Sequence, residues 1–126
     1  MAYLPLSPNI VAVDGPQSRY YNQVVDKSKI AKPDWRSAER MFSKDIRYKW
    51  VVLVDHNVRA KPGAGSCIFL HVWKSPTTLT SGCTAMAERD IVDLIHWLDT
   101  AFAPVLIQMP RPVYDEMRER WKLPAL

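Results

Sequence analysis

The apolar positions of this chain fall into short runs broken by turn-forming residues, which is the pattern of short strands rather than long helices. Residues 1–8 carry Pro5 and Pro8 and predict extended or irregular backbone. Residues 9–13 (NIVAV) predict a strand, ended by the turn signal Asp14-Gly15-Pro16. Residues 18–26, with Tyr20, Tyr21 and Asn22 in a polar setting, predict a loop, as do residues 27–33. In residues 34–42 (DWRSAERMF), Trp35, Ala38, Met41 and Phe42 recur at helical spacing and predict a short helix. Residues 50–55 (WVVLVD) are β-branched and apolar and predict a buried central strand. Residues 57–65 turn the chain at Pro62-Gly63 and Gly65, and residues 67–73 (CIFLHVW) predict a second buried strand.

A loop over 76–81 leads to the strongest helix pattern, residues 88–99. There Ile91, Leu94, Ile95 and Leu98 form one stripe, and Glu88 and Asp90 sit in the first turn, where the helix dipole favours negative charge. Residues 104–109 (PVLIQM) predict a third strand, closed by Pro110 and Pro112. Residues 113–122 predict a terminal amphipathic helix, with Val113, Met117 and Trp121 at i, i+4 and i+8. Strands that do not alternate regularly with helices imply a β-rich α+β fold.

Size and charge narrow the picture. A chain of 126 residues is expected to be one domain, residues 1–126, large enough for a hydrophobic core. The net charge of +4 is spread over alternating positions such as Lys27, Lys29, Lys32, Arg36 and Arg40. No basic block with interleaved aromatics occurs, so a nucleic-acid partner is not expected. No apolar run reaches the roughly 20 residues that a membrane-spanning helix needs, and the first 15 residues lack the pattern of a signal peptide. Two cysteines do not make a disulfide scaffold.

The candidate chemistry lies in one stretch, GAGSCIFLHVWKSPTTLTSGCTAM, residues 63–86. Cys83 follows Gly82, whose missing side chain lets a substrate approach, and precedes the helix that begins near Glu88. If that helix aims its N-terminus at the sulfur, the thiolate is favoured, and backbone N–H groups of Gly82 and Cys83 form an oxyanion hole. The competing reading is an inert thiol packed as a small hydrophobe. His71, embedded between Leu70 and Val72, is either a structural histidine or the base that such a thiol needs. No acidic residue lies nearby in sequence to orient the ring, so a backbone carbonyl is the expected partner. The spacing of Cys67, His71 and Cys83 is not that of a zinc finger or knuckle and no fourth ligand is apparent, so a zinc site is not expected.

These residues resemble the catalytic signature of the L,D-transpeptidase (YkuD-like) domain, which has a histidine on a strand, a spacer, and then Ser/Thr-x-Gly-Cys. Here those positions are His71 and Thr80-Ser81-Gly82-Cys83. Further segments resemble one branch of the family in the same order: residues 18–23, Ser37-Ala38-Glu39, residues 51–57 and residues 62–66. The resemblance covers roughly residues 13–109. It departs from many members at Ser81, where a second histidine is common, at Ala85, where Arg or Asn is common, and in a shorter spacer. Cys67 occupies a position that is usually small and apolar.

The resemblance implies a β-rich mixed sheet or sandwich with peripheral helices, lacking the first strands of the domain. It implies that Cys83 attacks a peptide carbonyl in a peptidoglycan stem, with His71 as base and the backbone at Gly82 and Cys83 holding the oxyanion. The products are a cross-link or, with water as acceptor, L,D-carboxypeptidase cleavage, and the resemblance implies that no metal or organic cofactor is needed. Tyr21, Asn22, Trp73, Thr80 and Ser81 are the expected substrate groove. It implies a periplasmic or cell-wall location, and a homo-oligomer or partner chain that completes the sheet. Two rival readings stand beside it: an inactive wall-binding or assembly protein of the same fold, and a cysteine peptidase or amidase acting on other peptides.

Overall fold

The computed structural model describes residues 3–125 and is a small α+β protein with two sheets and two helices. Strand β1 (Ile10–Val13) is central to the first sheet, antiparallel to β2 (Gln23–Asp26) on one side and β3 (Glu39–Arg40) on the other. The second sheet has the order β4 (Val51–Leu53), β5 (Phe69–Val72), β6 (Thr84–Met86), with β4 antiparallel and β6 parallel to β5. Helix α1 (Glu88–Trp97) follows β6 directly, and α2 (Arg111–Trp121) closes the chain.

The two-residue period of a strand divides the interior at β5. Cys67 and Phe69 face a core shared with Ile10, Ala12, Met41 and Tyr48, which joins the two sheets. Leu70 and Val72 face the other way and pack with Ile91 of α1. The expected stripe of α1 is confirmed in Ile91, Leu94 and Ile95. Glu88 anchors the first turn of the helix by accepting from Lys49 Nζ at 2.6 Å and Trp50 Nε1 at 3.2 Å.

Several expectations of local structure are corrected. Residues 34–42 form no helix. Asp34 is held by Ser18 Oγ (2.6 Å), Trp35 stacks edge-on against Tyr20, and the Ser37 carbonyl accepts from Gly15 N–H, so tertiary contacts draw this stretch out and end it as β3. Met41 is buried and Phe42 is exposed, so the two do not share one buried face. The 50–55 run is an edge strand, and β5 holds the centre. Residues 104–109 form no strand, and Val105, Leu106 and Ile107 are exposed. In α2 the buried residue is Tyr114, with Val113 and Trp121 exposed. Two short strands, β2 and β6, were expected as loop and helix approach.

Candidate functional site

His71 and Cys83 reach one cleft because β5 and β6 run parallel. His71 pairs in register with Ala85, and Cys83 lies two residues before Ala85, on the same face. The cleft is lined by both, together with Glu39, Tyr48, Arg47, Trp73, Lys74 and the 78–81 loop. Its volume is about 140 Å³.

The turn into Cys83 depends on Gly82, whose φ of 138° lies where L side chains are rarely found. Thr80 Oγ1 donates to the Cys83 carbonyl at 2.5 Å and fixes the loop from the other side. The sulfur accepts from Phe69 N–H at 3.4 Å, and its S–H is directed to the Cys67 carbonyl at 3.8 Å. Burial pushes the Cys83 thiol up from its ordinary pKa, against the Phe69 N–H, which favours the anion, and with the Glu39 carboxylate, which repels it. Cys83 therefore rests as a neutral thiol. The helix N-terminus does not offset this. Strand β6 intervenes, and five residues of nearly extended chain place α1 roughly 16 Å along from Cys83, beyond the first-turn range of the dipole.

His71 is 5% exposed, and its Nδ1 lies 2.8 Å from the Val72 carbonyl. A carbonyl only accepts, so in the neutral ring Nδ1 carries the proton and Nε2 is left with the lone pair. This is the backbone orienter that the sequence called for. The ring also meets Tyr48 edge-on, with centroids 5.5 Å apart. Tyr48 in turn donates to Glu39 Oε1, and burial together with that carboxylate raises its hydroxyl far above the ordinary range. No hydrogen bond joins the Cys83 sulfur to His71 among those of the described residues.

Of the expected groove, Trp73, Thr80 and Ser81 line this cleft, and Tyr21 and Asn22 do not. Tyr21 donates to the Gly65 carbonyl at 3.2 Å. Asn22 donates to the His56 and Asn57 carbonyls at 2.7 and 2.9 Å and accepts from Cys67 N–H at 2.7 Å. Both residues hold the 56–67 loop. Cys67 is buried, with its thiol pushed up to about 12 mainly by burial, and its S–H donates to the Val13 carbonyl. Both cysteines are free thiols.

Sequence reasoning did not single out Tyr48, Arg47 or Lys74, and quoted Glu39 only as part of a family segment. The DIRYKW stretch has no motif that would have marked it. Arg47 pairs with Asp45 at 3.0 Å, and Asp45 is held below the usual carboxylate range by the Arg47 backbone N–H and by the charges of Arg47 and Lys74. With Arg47 paired to Asp45, Lys74 is the basic side chain at the cleft without an ion pair among the described residues, and Glu39 is the acidic one. Among the described residues, no three His, Cys, Asp or Glu side chains gather to hold a metal, and no helix is long and apolar enough to cross a membrane. Comparison with family models, curated proteins and solved structures finds no match.

Proposed function

We propose that the protein is a cysteine-dependent acyltransferase of the L,D-transpeptidase kind, acting on peptidoglycan stem peptides, with the β-rich fold of that family. The observation that supports it most is the register of β5 on β6, which turns His71 and Cys83 into one cleft. In this reading the sulfur attacks the peptide carbonyl, and an S–C bond forms as the C–N bond breaks. The thiol proton passes to Nε2 of His71 and then to the leaving amine. An acceptor amine, or water, then releases the acyl group and regenerates the thiol. Trp73, Thr80 and Ser81 line the substrate side. Lys74 supplies the positive charge for a substrate carboxylate that Ala85 cannot. A periplasmic or wall location belongs to the same reading.

The test is intact mass after incubation with a carbapenem-type acylating probe. The parent should gain one adduct, Cys83→Ala none, and His71→Ala should react slowly. Equal labelling of the parent and Cys83→Ala would sink the reading.

A second reading is favoured by one observation. The sulfur is engaged by Phe69 N–H and the Cys67 carbonyl rather than by His71, and burial keeps it protonated. That arrangement suits a wall-binding protein that keeps the fold without turnover. Retained binding to stem peptides with no adduct identifies it, and adducts only with other peptides identify a peptidase or amidase.

A further inference from the structure

A second and larger feature lies along the outer edge of β4. A groove of about 780 Å³ is lined there by apolar side chains from the N-terminal segment, β4 and the 41–50 stretch. Leu4, Phe42, Ile46, Trp50 and Leu53 are all exposed in it. β4 ends its sheet, with no strand on its outer side among the described residues. An unpaired apolar edge is a template for another strand.

The surface of the whole chain indicates how much is uncovered. A folded monomer of 14.5 kDa exposes about 6,900 Å² by the usual scaling. This chain exposes 9600 Å². The excess, about 2,700 Å², is several times the roughly 800 Å² per partner that a stable interface covers. Part of it lies in residues 98–110, and part in the exposed apolar side chains of the groove.

The groove's charges decide which partner fits. Lys49 is paired with Glu88 and Asp45 with Arg47, which leaves Lys44 as the one charged side chain lining the groove without an ion pair among the described residues. Such a face suits a copy of itself, since apposing it to its own image brings few like charges together. A short apolar strand, Val51-Val52-Leu53, also pairs antiparallel with its own copy about a twofold axis without any change of register.

We propose that the β4 groove is a homodimer interface, closed by a second copy of this chain with the two β4 strands side by side and antiparallel. This inference does not depend on the catalytic reading. Sedimentation velocity of the purified chain should show a species of twice 14.5 kDa, dissociating only below about 10 µM. Leu53→Lys and Phe42→Glu change side chains that are already half exposed, so each should keep the far-UV spectrum of the parent and weaken dimerisation at least tenfold. Hydrogen exchange of the parent needs no variant: the amides of β4 should slow as concentration rises through the dimerisation midpoint. A monomer at about 100 µM overturns the proposal and leaves the groove to the chain's own tail or to a different protein. So does a dimer in which folded Leu53→Lys and Phe42→Glu associate as tightly as the parent, or in which β4 exchange is independent of concentration.

Discussion

Cys83 and Cys67 are sixteen residues apart, share a core cluster, and carry thiols raised by the same cause, yet only Cys83 opens to the cleft. Their titration is the most direct probe of the site. Alkylation of Cys83 by iodoacetamide should follow a midpoint above the ordinary thiol value, because burial opposes the anion. Glu39→Gln removes the carboxylate that adds to this, so the midpoint should move down and labelling at fixed pH should quicken. An unmoved midpoint would show that Glu39 does not reach the sulfur. Stability carries the same sign. Above pH 9.0 the unfolded chain loses its Cys67 proton while the folded protein keeps it until about 12, so the unfolded state binds fewer protons and stability falls as pH rises through that window. The slope approaches about 1.4 kcal/mol per pH unit for each such thiol. Urea midpoints measured from pH 8 upward should decline, and Cys67→Ala should flatten the decline.

The hairpin of β1 and β2 is coupled to the 56–67 loop by Asn22, which sits at φ 63° and satisfies three backbone groups with one side chain. Asn22→Ala leaves those groups without partners in a half-buried place and should cost about 2–4 kcal/mol, seen as a lower urea midpoint. Asn22→Gly relieves the backbone strain and keeps the loss of bonds, so it should recover only part. If both variants instead keep full stability and lose only stem-peptide binding, Asn22 belongs to a groove after all. The same residue shows what was legible in the chain. Tyr21 and Asn22 could be read as packing anchors or as groove residues, since the two roles use the same atoms and only the partner, 34 to 45 residues away, separates them. Strands β1 and β5 were readable as continuous apolar runs that are buried throughout, and helix α1 because its apolar stripe is the face it buries. Residues 34–42 were not, because their helical spacing is overruled by Ser18, Tyr20 and Gly15, which no local pattern contains. β6 is three residues long and runs straight into α1, so the helical period hid it. His71 and Cys83 stood out by type and spacing, whereas Tyr48, Arg47 and Lys74 join the cleft only through folding.

Cohesion is uneven over the whole molecule. The buried side chains gather on β1, β5, α1 and the residues packed against them, whereas residues 98–110 contain none. In α2 only Tyr114 is buried, and its hydroxyl donates to the Pro124 carbonyl at 2.6 Å, a contact within the same terminal segment. Its ion pair, Arg111 with Asp115, is exposed and lies along the helix itself, so it adds only a few tenths of a kcal/mol. An eleven-residue helix of this kind is marginal in water without a packed face. Opening of α2 should therefore cost far less free energy than global unfolding. Native-state hydrogen exchange gives the measurement. Amides of β1 and β5 should exchange only through global unfolding and follow its denaturant dependence. Amides of α2 should exchange faster by at least about 100-fold and show almost no denaturant dependence, the mark of local opening. Equal protection in α2 and β5 would mean that the terminal helix is docked, and the apolar side chains of Val113 and Trp121 would then be the contacts to locate.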